Sequence, residues 1–314
     1  MENFKSFITE AKEEPYKLLI LSHDDPFDPN ETGPMVRKKA SELGIEVYLA
    51  EFSGMYMEDK GKDQLVYSFP VDDKGQVELP GMKDDVEYDK PFRINPENTL
   101  IMARGIGSTV KTGNLSWRVA CLNLESQGYT LINPVICHDI CNDKWYNQIV
   151  FQQNDIRTPN TVLVRHSEGA EDAAERLGNK FPMILKTAVG SRGVGVIWIE
   201  SLKALHSVIQ LLHREDEFVD VLLQEYIKID YDVRVIIAAG EILGAIKRPV
   251  VGNDFRSNVS QGSEPQSHEL TEREAQESLR AAESVQGQVV GVDFIPAKNR
   301  DKESPYFIEV NSTP

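Results

Sequence analysis

The chain is poor in three things, and each scarcity narrows what it can be. Cysteine occurs only as Cys121, Cys137 and Cys141 in 314 residues, an odd and small number that excludes a disulfide framework as the main source of stability. Long apolar runs are missing. No stretch approaches the roughly 20 residues of a membrane helix, and the opening "MENFKSFITEAKEEPYK" is too charged for a signal peptide. The expectation is a cytoplasmic protein with no membrane partner. Basic residues are outnumbered, 34 Lys and Arg against 50 Asp and Glu, for a net charge of −16. Such a surface repels phosphate backbones, so no nucleic-acid partner is expected. A basic cleft for a small anionic cofactor remains compatible with it, because the local field decides there. What is present is ordinary: 40% hydrophobic and 27% charged residues, in a length that accommodates about two or three compact units.

Strand and helix patterns alternate through the first part. "KLLILS" reads as a strand and "PMVRKKASELG" as a helix, with Pro34 in its first turn and Gly44 as its stop. The strands "IEVYLAEF", "TLIMARG" and "YTLIN" and the helix "SWRVACLNLESQG" continue a parallel α/β unit over residues 1–133, with "FPVDDKGQVELPGMKDDVEYDKPF" as a polar excursion. Arg104 ends a strand, where it faces either a substrate or solvent. "CHDIC" resembles half a metal site, but its partner ligands are missing and ordinary helix thiols are the better reading.

The pattern then changes to α+β. A helix carries Lys144, and "MILK" and "VIWIE" form an antiparallel pair around the glycine loop "GSRGVG". "SLKALHSVIQLLHR" is a helix capped by Ser201, with Leu202, Leu205, Val208, Ile209 and Leu212 on one face. "VDVLLQEYI" is a strand running out at Lys228. "DVRVIIAAGEILGAIKRPV" is a hairpin turning at Gly240 and Glu241. Thr271 and Glu274 make a capping box for a helix stopped by Gly287, and "VVGVDFI" and "YFIEVN" close the chain.

Chemistry concentrates in this second part. Asp293, Glu309 and Asn311 sit among apolar strand residues, where buried carboxylates are costly unless a cation compensates. Alternation puts Glu309 and Asn311 on one face, and a loop centred near Asp301 brings Asp293 opposite Glu309. Three oxygen-bearing side chains with few internal partners suit magnesium. Lys186 projects from an apolar strand toward a phosphate, and Gly190, Gly193 and Gly195 form a lid whose backbone approaches a ligand closely. This is not the Walker arrangement, in which the lysine follows the glycines. "QEYIK", Gln224 to Lys228, leaves one sheet for the next with free backbone groups for an adenine edge, and Glu225 or Asp232 is placed for ribose hydroxyls. Arg248, Arg256, Ser257 and Asn258 follow, and the arginines suit charge on a transferring phosphoryl group.

The order "LK", "GSRGVGV", "QEYIK", "DVR", "DFRSN", "GVDF", "FIEVN" resembles the ATP-grasp superfamily, and within it the RimK-type ligases that add glutamate to a protein's C-terminus; glutathione synthetases are more distant. The likeness is dense from about residue 133 onward. It implies an N-terminal α/β pre-ATP-grasp domain, 1–133, followed by a two-lobed α+β ATP-grasp domain with a central lobe, 134–226, and a C-terminal lobe, 227–314. It further implies that Lys144 and Lys186 contact phosphates, that Gln224, Glu225, Tyr226, Ile227 and Lys228 hold adenine with Asp232 nearby, and that Arg256, Ser257 and Asn258 face the triphosphate. Asp293, Glu309 and Asn311 would hold magnesium, as two ions with manganese as a substitute. The implied activity is an ATP-dependent carboxylate–amine ligase working through an acylphosphate, with Arg248 and Arg256 catalytic. Its partners would be a carboxylate donor and an amine acceptor, whether amino acid, peptide or protein C-terminus. A phosphotransferase on the same fold and a nucleotide-binding interaction protein without turnover are the alternatives. The acceptor and any homo-oligomerisation are left open.

Overall fold

The computed structural model describes residues 16–22, 31–50, 55–56, 63–66, 92–104, 114–189, 195–215, 219–250 and 264–314. The chain divides into two compact units, residues 1–138 and 139–312.

In the first unit, β1 (Lys17–Leu21), α1 (Thr32–Glu42) and β2 (Glu46–Ala50) follow the expected order. With β6 (Thr99–Ala103) and β7 (Thr130–Ile132) they give a parallel sheet in the order β2-β1-β6-β7. Leu19, Ile20 and Leu21 have no exposed surface; consecutive apolar residues are what a strand covered on both faces requires. Pro34 lies in the first turn of α1, and the chain leaves this helix through Gly44 at φ +74°. Helix α2 (Asn114–Ser126) packs Cys121 and Leu124 into the core. A small antiparallel sheet of β3 (Met55–Tyr56), β4 (Gln64–Val66) and β5 (Phe92–Ile94) was not anticipated. Its strands are too short to show an alternation. The unit boundary falls within α3 (Val135–Asn142). Cys137 and Cys141 on it are free thiols, and no metal-ligating cluster of His, Cys, Asp and Glu occurs among the described residues.

The second unit contains two antiparallel sheets. The first has the order β10-β9-β11-β8, from β8 (Thr161–Val164), β9 (Met183–Thr187), β10 (Val196–Ile199) and β11 (Val221–Glu225). One face is apolar. Met183, Leu185, Val221 and Leu223 pack with Ala170, Ala173 and Ala174 of α5 (Ala170–Arg176) and with Leu205 and Ile209 of α6 (Leu202–Glu215). Helix α4 (Lys144–Gln153) precedes these elements in the chain. Ser201 caps α6 as expected, its Oγ accepting from the Ala204 amide at 3.2 Å. Leu202, Val208 and Leu212 extend the predicted stripe.

The second sheet has the order β14-β13-β12-β15-β16, from β12 (Tyr231–Ala238), β13 (Glu241–Pro249), β14 (Gln266–Ser267), β15 (Val289–Ile295) and β16 (Tyr306–Asn311). Val233, Val235, Ile237, Val290 and Val292 are fully buried, and the residues between them form the opposite face. Helix α7 (Glu272–Ser284) opens with the predicted reciprocal capping box of Thr271 and Glu274. Two turns differ from expectation. The β12–β13 hairpin turns at Ala239 and Gly240, both at positive φ, one residue earlier than the alternation indicated. After α7, Gln286 takes the left-handed conformation. Gly287 is needed for space instead, since a Cβ there would lie 2.5 Å from Val290 Cγ1.

Candidate functional site

The polar face of the four-stranded sheet is set by strand register. Gln224 lies opposite Thr161 and Ile184, and Lys186 lies opposite Leu222 and Val196. Residues two apart share a face, so Thr161, Gln224 and Lys186 come together. Lys186 Nζ donates to Gln224 Oε1 at 2.8 Å, and Gln224 Nε2 donates to Thr161 Oγ1 at 2.8 Å. Burial lowers the Lys186 pKa most; Glu309 raises it and Lys144 lowers it further, leaving it at about 8. The apolar strand that made this lysine conspicuous in sequence is therefore the cause of its weakened charge.

Lys144 reaches the same neighbourhood because its helix start is pinned there. Asp143 caps α4, its carboxylate accepting from the Trp145 and Tyr146 amides at 2.8 and 3.0 Å. The Lys144 amide donates to the Ala188 carbonyl at 2.9 Å, just beyond β9. At the start of the described residues before β10, Gly195 sits at φ +84°, and a Cβ there would lie 2.7 Å from Thr187 Oγ1. Only glycine fits that backbone at that distance.

Past β11 the strand pattern stops at Glu225, three residues before the expected Lys228. Tyr226 and Ile227 are half-buried and Lys228 is exposed. Tyr226 packs edge-on against Trp198 with ring centroids 4.8 Å apart. Glu225 Oε1 accepts from the Asn160 amide at 2.8 Å, so this carboxylate is already partly engaged.

The five-stranded sheet carries a ladder of charge. Asp232 lies opposite Arg248, Arg234 opposite Asp293, and Asp293 opposite Glu309. Arg248 Nε and Nη2 donate to the two carboxylate oxygens of Asp232 at 2.8 and 2.6 Å, and Arg234 makes the same fork with Asp293 at 2.7 and 2.6 Å. Arg248 also reaches Asp293 Oδ2 at 3.1 Å. Burial alone would lower the Arg248 pKa, but Asp293 and Asp232 outweigh it and the net direction is upward. Arg234 is also raised: burial opposes, and Asp293 and Glu309 prevail over repulsion from Arg248.

These contacts correct two expectations. Asp293 does not have few internal partners, because two guanidinium groups compensate its buried charge. Asp232 is not a free acceptor for ribose hydroxyls, since both its oxygens are spent on buried Arg248. Arg234 has no role in the sequence reading, which quotes "DVR" only for its likeness to the family, because an arginine between valines looks like any solvent-facing strand position. The register of Asp293 with Glu309 is as expected, and Gly291 lies opposite Asn311. Asn311 Nδ2 lies 3.5 Å from Glu309 Oε1. Two carboxylates and an amide in neighbouring register positions are a hard-oxygen donor set, which fits magnesium in chemistry. Gly190, Gly193, Arg256, Ser257 and Asn258 lie outside the described residues.

Comparison with known proteins identifies the family. The family model of the RimK-like ATP-grasp domain matches residues 141–314. A probable alpha-L-glutamate ligase of Rhodopirellula baltica is 33% identical over 174 residues, 55% of this chain and 41% of that protein, so the chain spans less than half of that relative. The coenzyme gamma-F420-2:alpha-L-glutamate ligase of Methanococcus maripaludis is 29% identical over 238 residues, covering 74% of this chain and 79% of that one. Among solved structures, the ATP-grasp ligase PsnB complexed with a phosphomimetic variant of its minimal precursor, Mg and ADP aligns with a TM-score of 0.66 at 15% identity, over 96% of this chain and 91% of that chain. At that identity the likeness is one of fold. No helix among the described residues is long and apolar enough to cross a membrane. With its parallel α/β unit, its two antiparallel sheets and the family match over residues 141–314, the chain belongs to the RimK-like ATP-grasp family.

Proposed function

We propose that the protein joins L-glutamate, as the amine, to a carboxylate by an ATP-dependent route through an acylphosphate. The observation that carries this reading is the opposite polarity of two faces in one unit. Lys186 stands on one sheet, an excess of carboxylate over guanidinium among the described residues stands on the other, and the charge of Glu309 on that sheet favours the charged form of Lys186. A nucleotide tail with a divalent cation has the matching pattern of charge.

In this reading Lys144 and Lys186 contact phosphate oxygens, and the backbone around Gln224 to Lys228 holds the adenine edge. Gly190 and Gly193 cover the phosphates, and Ser257 and Asn258 face the triphosphate. Magnesium, held by Glu309, Asn311 and Asp293, would supply charge neutralisation on the phosphates. The γ-phosphoryl group passes to a carboxylate oxygen of the acid with loss of ADP. The amine then forms the C–N bond as phosphate leaves with the C–O electron pair. Arg248 and Arg256 stabilise charge on the transferring group, and Arg248 does so from a position that Asp232 and Asp293 hold fixed. No side-chain nucleophile is required. The names of the gamma-F420-2:alpha-L-glutamate ligase and of PsnB with its minimal precursor support glutamate as one substrate and a small molecule or peptide as the other.

The test is product analysis by mass spectrometry with ATP, magnesium, glutamate as the amine and a panel of carboxylate substrates. The expected product has the summed mass of carboxylate substrate and glutamate less one water, with ADP released in equal amount. A stable phosphorylated product without amine would instead establish a phosphotransferase, and tight ATP binding without ADP release under any mixture would defeat the ligase reading.

A further inference from the structure

Lys186 does not stand alone on its face. Its ammonium donates to Gln224 Oε1 at 2.8 Å, Gln224 Nε2 donates to Thr161 Oγ1 at 2.8 Å, and Thr161 Oγ1 donates to the Pro159 carbonyl at 2.9 Å. Gln224 is buried, 7% exposed. A threonine hydroxyl has a single proton. With that proton committed to Pro159, Oγ1 can only accept, which obliges Gln224 to turn its NH2 toward Thr161 and its carbonyl oxygen toward Lys186. The opposite amide orientation would set the carbonyl oxygen against an Oγ1 with no proton left to give it and the NH2 against the ammonium, donor against donor.

We infer that Thr161 is a positioning residue for the phosphate-contacting lysine: its hydroxyl fixes the orientation of the Gln224 amide, and the amide oxygen in turn fixes the Lys186 ammonium. The inference rests on the proposed role of Lys186 toward ATP. Thr161 touches no reacting atom in this scheme; it acts through Gln224. The relay serves a lysine whose charge its surroundings disfavour. Burial and Lys144 push the charge away while Glu309 supports it, so the direction of one buried dipole matters more here than on a wet surface.

The experiment compares Thr161→Val, which keeps shape and removes the hydroxyl, with Thr161→Ser, which keeps the hydroxyl. The first readout needs no nucleotide: the pH midpoint of reductive methylation of Lys186 in the full chain, quantified by peptide mass spectrometry. Thr161→Val should move the midpoint down by roughly half a unit to one unit, the size of one net hydrogen bond, and Thr161→Ser should leave it in place. The second readout is ligase kinetics, where Thr161→Val should raise KM for ATP about tenfold with a smaller change in kcat, and Thr161→Ser should restore it. Gln224→Met, which removes both ends of the amide, should shift the midpoint in the same direction and serves if Thr161→Val does not fold. An unchanged midpoint in Thr161→Val, or in Gln224→Met where that variant stands in, overturns the relay. A shifted midpoint with an unchanged KM for ATP upholds the relay and removes Lys186 from the phosphate site.

Discussion

The two sheets of the second unit handle cations in opposite ways. On the five-stranded sheet, Arg234 and Arg248 are each forked onto an aspartate, and both are driven further toward the charged form. On the four-stranded sheet, the hydrogen-bond partner described for Lys186 is a neutral amide, and its pKa falls to about 8. A guanidinium is planar and always charged, and it holds a carboxylate at two points; an ammonium is a point charge that a buried site can weaken. Among the described residues, the four-stranded sheet therefore presents a cation with no carboxylate forked onto it, and the five-stranded sheet has cations forked onto carboxylates of its own. An incoming phosphate gains most from the former. The latter forms a rigid scaffold whose remaining carboxylate favours a metal ion.

The largest way to break this contrast is to unbalance the ladder. Asp232→Asn removes the anion onto which Arg248 is forked and leaves a buried guanidinium that, among the described residues, keeps Asp293, which Arg234 also holds. Removing one partner of a buried ion pair costs about 3–5 kcal/mol. Urea denaturation should show a loss near the lower end of that range, because Asp293 compensates in part. A loss under about 1 kcal/mol would mean that the ladder is not what holds the face together.

Lys186→Met should act in the reverse sense on stability. The folded-state pKa of Lys186, about 8, lies below the ordinary 10.5, so the unfolded chain binds this proton more tightly than the folded one. Below pH 8 the protonated lysine burdens the fold fully, and the burden is released as pH rises from about 8 to 10.5. The shift corresponds to about 3 kcal/mol. Wild-type stability relative to Lys186→Met should rise across that window, while the variant, without the group, lacks this contribution and is the more stable protein near pH 7. ATP affinity should separate the two effects. It should fall roughly 100-fold in the variant, and in the wild type it should decline above pH 8 as the free protein loses the ammonium that phosphate would meet. A wild type and variant with parallel pH–stability curves would show that the lysine is not desolvated.

Much of this contrast can be read from sequence, and the limit of reading is physical. A lysine ending the run "MILK" and acids inside "VVGVDFI" and "YFIEVN" violate strand patterning, and such violations point to the face that carries chemistry. Register followed from alternation and loop length, which placed Asp293 opposite Glu309. Partners did not follow. Arg234 meets Asp293 across 59 positions, and Gln224 meets Lys186 across 38 and Thr161 across 63. Side-chain pairing at such separations depends on which strands become neighbours, and local patterning carries no record of strand order. Asp232 read as a free acceptor for another reason: its partner lies across the hairpin the sequence indicates, but a turn at Gly240 and Glu241 pairs Asp232 with Pro249, and the observed turn and bulge bring Arg248 opposite it instead. The left-handed turns at Ala239 and Gln286 were missed for a different reason: neither residue type signals positive φ.

The smallest effect should come from the backbone next to Lys186. Gly195→Ala forces an alanine into φ +84° and sets its Cβ 2.7 Å from Thr187 Oγ1, the hydroxyl that donates to the Val189 carbonyl at 2.8 Å. Left-handed φ costs a non-glycine residue about 1 kcal/mol, and Thr187 can relieve part of the contact by rotating at the expense of its hydrogen bond. Denaturation should therefore report a loss of about 1–2 kcal/mol. Because Thr187 follows Lys186 on β9 and its amide donates to the Gly195 carbonyl, the disturbance should reach the lysine side of the contrast and not the arginine ladder. KM for ATP should rise a few-fold, whereas the urea midpoint difference between this variant and its Asp232→Asn double variant should equal that between wild type and Asp232→Asn. Non-additivity larger than about 0.5 kcal/mol would show that the two sheets share strain and are not the separate devices their charges describe.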